Sequence, residues 1–254
     1  MPQLQGQIAI VTGGNSGIGE ATAKLLAREG ATVVLCGRRA AENERVAAGI
    51  RAAGGKATAV QADVSTPESC RAVVDATVAA YGRIDALVNN AGIADKHKPI
   101  DECDEAWYDE VVKIDQYSVY YMTKYALEVM VPTGQGSIVN VSSIGAGGVA
   151  GVSYSAAKAA VNAMTKNIAI RYAPTGIRCN AVAPGPTPTP LNAPEAAQYF
   201  HQEFAAECGK HIDITLPTAS AEDQAQAILW FAGPHSRSVT GQVLYVDHGT
   251  SLYG

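Results

Sequence analysis

The amino-acid sequence predicts an α/β fold in which one doubly wound, mostly parallel sheet of seven strands lies between layers of helices. Short apolar runs rich in branched residues alternate with helical patterns, and such alternation is typical of βαβ units with right-handed crossovers. Of the 254 residues, 47% are hydrophobic and 17% charged, which suits a single globular domain over residues 1–254. We expect strands at 8–11, 32–36, 57–61, 84–88, 137–141, 177–183 and 242–246, and helices at 20–28, 40–53, 67–81, 104–130, 153–172 and 222–231.

The first βα unit carries a glycine-rich turn. The apolar run at 8–11 leads into the sequence TGGNSGIG at 12–19, and a helical pattern follows. In such a turn Gly13 permits the bend, Gly17 and Gly19 let the backbone approach a pyrophosphate, and the helix N-terminus faces the anion. The strand before the turn and the helix after it predict a dinucleotide-binding site.

The second strand ends at two basic residues. Arg38 and Arg39 follow it at the point where an acidic residue would hydrogen-bond the ribose 2′-hydroxyl of NAD, whereas a basic residue accommodates a 2′-phosphate. Arg38 therefore favours NADP(H), and NAD(H) is the other possibility. The alternative is that both arginines are solvated residues at the start of the next helix.

Two more strands end in short segments that point to the same edge of the sheet. Asp63 and Val64 follow the strand at 57–61, and the sequence NNAG at 89–92 follows the strand at 84–88. Open α/β sheets bind ligands at the carboxyl ends of their strands. The NNAG turn therefore either contacts a ligand or stabilises the centre of the sheet.

The helix predicted at 153–172 places Tyr154 and Lys158 four residues apart, on one face. A phenol titrates near ~10, so a tyrosine acts as an acid-base group at neutral pH only if a nearby cation stabilises its phenolate. Lys158 is the candidate cation. A serine of the Ser142-Ser143 pair, at the end of the preceding strand, could hydrogen-bond a substrate oxygen. The alternative for Tyr154 and Lys158 is an ordinary helix surface.

The sixth strand is followed by a proline-rich segment, PGPTPTP at 184–190, which can continue neither a helix nor a central strand. The segment after it contains Tyr199, Phe200 and Phe204 without a strong strand pattern. Its length suits a mobile substrate lid at about 190–217.

Charge and cysteine content exclude several classes of function. The net charge of −5, without a run of Lys or Arg, gives no footprint for nucleic acid or an acidic membrane. No apolar stretch reaches membrane length, and no signal region opens the chain. The five cysteines are widely spaced, which implies neither a disulfide framework nor a zinc site. We expect a cytoplasmic protein with small-molecule partners.

In order and spacing, these motifs resemble the short-chain dehydrogenase/reductase family, over about residues 6–249. The matching segments are TGGNSGIG at 12–19, Asp63-Val64, NNAG at 89–92, Ser142-Ser143, Tyr154-x-x-x-Lys158 and Pro184-Gly185 with Thr189. The resemblance implies a Rossmann-type domain. It also implies an NAD(P)(H)-dependent oxidoreductase that interconverts a secondary alcohol and a ketone.

The resemblance also implies a role for each matched residue. Tyr154 would exchange the proton of the substrate oxygen, and Lys158 would lower the pKa of Tyr154 and bind the nicotinamide ribose. A serine would orient the substrate oxygen, and no metal is needed. The expected cofactor-binding residues are Gly13, Asn15, Ser16, Gly17, Ile18, Gly19, Arg38, Asp63, Val64, Asn90, Ala91, Gly92, Tyr154, Lys158, Pro184, Gly185, Thr187 and Thr189.

Two features depart from the family pattern. Where the family has an Asn that supports a water-linked proton relay, this chain has Asp115, and residues 104–130 contain no Asn. Asp115 either retunes the relay by raising the pKa of Tyr154 or lies on the helix surface. In addition, Ser143 lies only 11 residues before Tyr154. Alignment from the strand selects Ser143 as the substrate-facing serine, whereas alignment from Tyr154 favours Ser142; we choose Ser143.

Two other functions and an assembly state complete these expectations. A cofactor-sensing protein that catalyses nothing is supported only by Asp115. A nucleotide-sugar epimerase or dehydratase would have a differently spaced glycine turn and a larger substrate domain.

By analogy with the family we expect a homo-oligomer, a tetramer or a dimer, formed through the helices at 104–130 and 153–172. The lid segment does not decide among a sterol, a 3-oxoacyl thioester, a sugar and a simple ketone as substrate.

Overall fold

Seven strands form one sheet in the order β3-β2-β1-β4-β5-β6-β7 in the computed structural model, which describes residues 2–193 and 198–253. Every neighbouring pair in the sheet is parallel. The predicted fold class is therefore confirmed. The strands are β1 Ile8–Thr12, β2 Thr32–Gly37, β3 Lys56–Gln61, β4 Ala86–Asn89, β5 Gly136–Val141, β6 Ile177–Pro184 and β7 Val243–Val246.

Helices cover both faces of the sheet. They are α1 Gly17–Arg28, α2 Ala40–Ala52, α3 Pro67–Tyr81, α4 Glu105–Val112, α5 Ser118–Thr133, α6 Val152–Tyr172, α7 Gln202–Gly209 and α8 Ala221–Ala232. Side chains of β1 alternate between the two faces. Val11 joins the core formed with α1, α2 and α8, and Ile10 joins the core formed with α3 and α5.

The order of the strands reverses beside β1, which lies between β2 and β4. Successive crossovers leave the sheet centre in opposite directions at such a point and open a crevice outside the carboxyl ends of the strands. The glycine turn follows β1 and the NNAG turn follows β4. The topology therefore brings these two turns together.

The long helix predicted at 104–130 is interrupted. A π-helical turn at Lys113–Tyr117 separates α4 from α5, and such turns occur frequently at functional sites. α5 also continues past Pro132 to Thr133, and Gly134, with a φ of 66°, ends it. Pro132 does not end the helix, because at the last turn its missing N–H removes only one helical hydrogen bond.

The segment predicted as a lid contains a 3₁₀ turn at Pro190–Asn192 and the short helix α7. Residues 194–197 of this segment lie outside the described residues. Its movement over a pocket stays a prediction. Within 2–193 and 198–253, none of the helices combines the length and apolar character that a membrane span requires.

Candidate active site

A cleft of about 540 Å³ opens at the carboxyl ends of the central strands. It runs from the end of β2 past the glycine turn to the N-terminal part of α6. The residues expected at the site that line it are Gly13, Asn15, Ser16, Gly17, Ile18, Arg38, Asp63, Val64, Asn90, Ala91, Gly92, Asp115, Ser143, Tyr154, Lys158, Pro184, Gly185, Thr187 and Thr189. Gly19 lies behind the turn, where a Cβ would collide with the carbonyl oxygen of Gly13.

The NNAG turn holds the glycine turn in place. Asn90 Nδ2 donates to the carbonyl oxygens of Thr12 and Gly13, at 2.9 and 3.2 Å. Thr12 Oγ1 accepts from the backbone N–H groups of Asn90 and Ala91. Gly13 has a φ of 62°, and a Cβ there would lie 2.9 Å from Asn90 Nδ2. The two interpretations of NNAG are thus compatible, since Asn90 supports the turn and also lines the cleft.

Two arginines lie at the end of the cleft beside β2. Arg38 is exposed, and its side chain makes no hydrogen bond with the residues that the structure describes. Arg39 Nη2 donates to Asn15 Oδ1 at 3.1 Å and to Ser16 Oγ at 3.3 Å. A Cβ at Gly37 would lie 2.7 Å from Asn15 Nδ2. The geometry therefore ties Arg39 to the glycine turn, and a side chain at position 37 would have to displace the Asn15 amide.

A buried ion pair lies beside Tyr154. Lys158 Nζ is 3.2 Å from Asp115 Oδ1, donates to the carbonyl oxygen of Val141 at 3.2 Å, and lies 5.3 Å from the centre of the Tyr154 ring. Asp115 Oδ2 accepts the backbone N–H of Ile93 at 3.1 Å. Because Asp115 is fully buried, its interpretation as a helix-surface residue is wrong. The π-helical turn places it in the cleft.

Burial and charge shift the pKa values of this cluster. Burial raises the pKa of Tyr154, the charge of Lys158 opposes that shift, and the charge of Asp115 adds to it. Lys158 thus has the expected effect on Tyr154, but burial outweighs it. Burial lowers the pKa of Lys158, but Asp115 and Tyr154 reverse the shift, so this pKa is raised. Burial likewise raises the pKa of Asp115 against the effect of Lys158. At neutral pH, Lys158 is a cation and Tyr154 carries its proton.

The two candidate serines make different contacts. Ser143 Oγ accepts the backbone N–H of Gly145 at 3.0 Å, and the Ser143 side chain acts to lower the pKa of Tyr154. Ser142 Oγ is buried and donates to the carbonyl oxygen of Lys158 at 3.4 Å. Of the two serines, Ser143 is therefore the one that acts on the pKa of Tyr154.

Sequence reasoning missed Asp95, which is buried and lines the cleft. Asp95 Oδ2 accepts the backbone N–H of Tyr154 at 3.1 Å, at the N-terminus of α6. The N-cap residue of α6, Gly151, has no side chain to cap the helix, so a carboxylate from another loop supplies the acceptor. The available signal was the position of Asp95, just after the NNAG turn at a strand end.

The cleft suits a dinucleotide. One end has the cationic groups of Arg38 and Arg39, the middle has the N-terminus of α1 behind a turn without side chains, and the other end has Lys158. A Cβ at Gly17, where φ is 51°, would lie 3.1 Å from Thr189 Cγ2. A side chain at this position would therefore narrow the cleft between the glycine turn and Thr189. No cluster of His, Cys, Asp and Glu suited to a metal ion is present in the part of the chain that the structure describes.

Comparison with known proteins identifies the family. A family model described as enoyl-(acyl carrier protein) reductase matches residues 13–251. The chain is 43% identical over 245 residues to cis-4-hydroxycyclohexanecarboxylate dehydrogenase of Sinomonas cyclohexanicum, and the match covers 96% of each protein. This chain belongs to the short-chain dehydrogenase/reductase family.

Two further proteins are similar to the short-chain dehydrogenase/reductase chain described here over nearly its whole length. 3beta-Hydroxysteroid dehydrogenase of Mediterraneibacter gnavus is 35% identical over 270 residues, covering 100% of this chain and 98% of that protein. The crystal structure of levodione reductase superposes with a TM-score of 0.91 at 31% identity, covering 99% of this chain and 100% of the other. The resemblance seen in the sequence is therefore confirmed.

Proposed function

We propose that this short-chain dehydrogenase/reductase interconverts a secondary alcohol on a saturated ring and the corresponding ring ketone. Its NAD(P)-dependent oxidoreductase activity on alcohols and ketones is what the relatives support. The observation that carries the proposal is the position of the buried Lys158 ammonium. Its Nζ lies 3.2 Å from Asp115 Oδ1 and 5.3 Å from the centre of the Tyr154 ring. A catalytically silent cofactor sensor is not favoured, because it would have no use for a buried lysine and carboxyl group beside a tyrosine.

Tyr154 is the proton donor in ketone reduction. When bound, the reduced nicotinamide supplies the hydride that is added to the carbonyl carbon. The proton of the Tyr154 hydroxyl goes to the carbonyl oxygen, and the phenolate that remains is stabilised by the Lys158 ammonium. The raised pKa of Tyr154 keeps that proton in place before the reaction. Alcohol oxidation runs through the same groups in reverse.

Ser143 and Asp115 support this proton transfer in different ways. The Ser143 hydroxyl, which acts on the pKa of Tyr154, orients the substrate oxygen towards the phenol. Asp115 holds the Lys158 ammonium and is itself held by the backbone N–H of Ile93. Asp115 thereby fixes the cation but raises the pKa of Tyr154, which favours the protonated form that reduction requires.

NADP(H) is the proposed cofactor. Arg38 and Arg39 are the cations at the β2 end of the cleft, and a guanidinium group binds a phosphate through paired charge-assisted hydrogen bonds. The second strand ends in Gly37 and not in the acidic residue that would bind a free 2′-hydroxyl group. The remaining cofactor contacts are proposed for the glycine turn, Asp63, Val64, the NNAG turn and the segment 184–189.

A ring substrate is proposed from the lining of the cleft and the names of the relatives. Ile93, Ile144, Val149, Leu191 and Phe200 give the cleft an apolar wall, which suits a hydrocarbon ring. Two relatives are named for ring alcohols, a hydroxycyclohexanecarboxylate and a hydroxysteroid. A ring alcohol or ketone fits both the wall and these names.

The protein is proposed to be a homo-oligomer, a tetramer or a dimer, in a reducing cytoplasm. Tyr117 and Tyr120, beside and on α5, and Ile170 on α6 are exposed apolar side chains, and the helices that carry them are those expected to form the interface. All five cysteines are unpaired, which suits a reducing compartment. Light scattering that gives the mass of a single chain would exclude the oligomer.

The activity is tested by following the absorbance of NADPH and NADH, in parallel, during incubation with cyclohexanone, a steroid 3-ketone and an acyclic ketone. We expect oxidation of NADPH with at least one ring ketone and slower turnover of the acyclic ketone. Preference for NADH would exclude the NADP(H) proposal and retain the enzyme. Tight binding of both nucleotides without turnover of any ketone would support the cofactor-sensing alternative.

A further inference from the structure

The side-chain amide of Gln224 connects α8 to the segment that follows β6. Gln224 is fully buried. Its Nε2 donates to the carbonyl oxygen of Val246, at the end of β7, at 2.8 Å and to Thr187 Oγ1 at 3.2 Å. Thr187 Oγ1 in turn donates to the carbonyl oxygen of Gly185 at 3.0 Å. Thr187 and Gly185 line the cleft, and Gln224 lies behind them.

The hydrogen bonds of Gln224 and Thr187 have one consistent direction. A carbonyl oxygen only accepts, so the amide nitrogen of Gln224, with its two hydrogens, faces Val246. The Thr187 hydroxyl has one hydrogen, which goes to Gly185, so it accepts from Gln224. As a donor, the Thr187 hydroxyl is therefore committed to the protein, and it fixes the backbone of residues 185–187.

The other end of this segment is attached to the edge of the sheet. The Gly185 N–H donates to the Val246 carbonyl oxygen at 3.1 Å, and a Cβ at Gly185 would lie 2.5 Å from the Cβ of Asp247. The Val246 carbonyl thus accepts from Gly185 directly and from Gln224, which holds Thr187. Without the amide of Gln224, Thr187 would lose this link to α8 and β7.

Packing alone does not explain a glutamine at position 224. Its buried neighbours on α8 include Ala225, Ile228 and Leu229, and an apolar side chain would fill the position without the cost of burying an amide. Gln224 Oε1 is buried with no hydrogen-bond partner within residues 2–193 and 198–253, which adds to that cost. What the glutamine contributes is therefore the two hydrogen bonds that Nε2 donates.

The segment 185–187 lies at the Tyr154 end of the cleft. The Ser142 N–H donates to the Val182 carbonyl oxygen at 2.8 Å, so the carboxyl end of β6 lies beside Ser142 and Ser143. The hydride and the Tyr154 proton go to the same carbonyl group, so the proposed reaction requires the nicotinamide at this end. The two arginines of the proposed phosphate site follow β2, four positions away from β6 in the sheet.

We propose that Gln224 is a positioning residue for the nicotinamide half of the cofactor. Through Thr187 it holds the backbone of residues 185–187 in the conformation that receives this half, so the segment need not be ordered on binding. The inference rests on the proposed function, because it concerns the same cleft and the same cofactor. It extends the site to α8, none of whose described residues lines the cleft.

Binding of the whole cofactor and of its adenosine half tests the proposal. Gln224→Met keeps the length of the side chain but removes both donors, and it should weaken NADPH binding by about tenfold or more in calorimetric titrations. Adenosine 2′,5′-bisphosphate lacks the nicotinamide half and should bind within about twofold of wild type, because it binds at the distant β2 end. Gln226→Met, on the exposed face of α8, is the matched control and should bind both ligands as wild type does.

Thr187 provides a second set of variants, which also serves if Gln224→Met does not fold. Thr187→Val removes the hydroxyl that Gln224 holds and should weaken NADPH binding as Gln224→Met does. Thr187→Ser keeps the hydroxyl and should bind NADPH nearly as wild type does. The double variant of Gln224→Met and Thr187→Val should bind NADPH no more weakly than the weaker single variant, because the two residues act as a unit.

These measurements need no turnover, so they separate the positioning role from the proposed activity. If no ketone is reduced and NADPH binding still depends on Gln224 and Thr187 in this way, the positioning role is retained and the oxidoreductase proposal fails. If NADH binds and NADPH does not, NADH and ADP replace NADPH and the bisphosphate, with the same expected results.

The positioning role would be overturned by several results. Equal weakening of NADPH and of the bisphosphate in Gln224→Met would assign Gln224 a role in the fold alone. Unchanged NADPH binding in Gln224→Met, or in Thr187→Val, would show that the segment keeps its conformation without these bonds. Additive losses in the double variant would show that the two residues act separately. A wild-type protein that binds neither nucleotide would reject both proposals.

Discussion

Asp115 Oδ1 and Lys158 Nζ lie 3.2 Å apart in the interior of the protein, where their side chains are 0% and 4% exposed. A carboxylate and an ammonium removed from water in this way are stable only as a pair. The pair connects the π-helical turn after α4 to the helix that carries Tyr154. Both the stability of the protein and the proton chemistry of Tyr154 therefore depend on Asp115.

Removal of the Asp115 carboxylate should destabilise the protein. Asp115→Ala leaves the buried Lys158 ammonium without its counter-ion, and breaking a buried pair in this way costs about 3–5 kcal/mol. Asp115→Asn retains an oxygen that can accept from Lys158 and should cost less. Urea unfolding at neutral pH checks this order, with Asp109→Asn on the exposed face of α4 as the control. Equal stability of wild-type protein and Asp115→Ala would contradict a functional ion pair.

Asp115→Asn should also shift the pH dependence of alcohol oxidation towards lower pH. The Asp115 charge raises the pKa of Tyr154, so its removal lowers that pKa, and oxidation requires the deprotonated phenol. Since Lys158 is retained, kcat at its optimum should stay within about tenfold of wild type. The measurement is a rate profile over pH for both proteins. Unchanged activity and an unchanged profile would exclude a role for Asp115 in the relay.

The two arginines beside β2 should bind the 2′-phosphate. Arg38→Ala and Arg39→Ala should each weaken NADPH binding by about tenfold or more, because each removes a charge-assisted hydrogen bond. Arg38→Ala should leave NADH binding nearly constant, whereas Arg39→Ala should weaken it to a smaller extent than NADPH binding, because it also removes the contacts with Asn15 and Ser16. Arg51→Ala, at the far end of α2, is the matched control. Equal weakening of both nucleotides would show that the arginines support the turn instead.

Gly37→Asp should not convert the protein to NAD(H). A Cβ at this position meets Asn15 Nδ2 at 2.7 Å, so the new side chain would displace the Asn15 contact with Arg39 and distort the glycine turn. We expect weaker binding of both nucleotides in fluorescence titrations. A gain in NADH affinity at the expense of NADPH would show that the turn can adjust to the acidic residue.

Asp95→Asn should weaken the attachment of α6. The carboxylate accepts the N–H of Tyr154 from the helix N-terminus and that of His97 from the loop, and an Asn offers one accepting oxygen in place of two. Loss of a bond and of a charge at a helix N-terminus costs about 1–2 kcal/mol. Thermal unfolding and kcat should both decrease, with Asp101→Asn on the exposed loop as the control. Full stability and turnover in Asp95→Asn would exclude the positioning role.

The sequence predicts those parts of the fold and site that depend on a few consecutive residues. Alternating apolar runs identify the strands, and the glycine turn, the NNAG turn and the pair Tyr154 and Lys158 each lie within a few consecutive residues. Their place at one sheet edge then follows from parallel topology, because the carboxyl ends of parallel strands share that edge.

The parts that the sequence does not predict depend on contacts between distant segments. Asp95 acquires its role only because its loop crosses α6, 59 residues further along the chain. In the sequence, Arg39 cannot be told from a solvated residue at the start of a helix. Its hydrogen bonds to Asn15 and Ser16, which attach it to the glycine turn, are visible only in the structure. The π-helical turn directs Asp115 inward, but its residues are of the same types as those of an ordinary helix, so the sequence does not reveal it.

The most direct test of the account is the turnover of a ring ketone with NADPH by Tyr154→Phe, compared with wild type and with Tyr172→Phe at the other end of α6. The account predicts that Tyr154→Phe loses at least about 100-fold in kcat while NADPH binding, measured by fluorescence titration, stays close to wild type. Tyr172→Phe should retain full turnover. If Tyr154→Phe turned over within about threefold of wild type, another group would donate the proton, and the central role of Tyr154 would be contradicted.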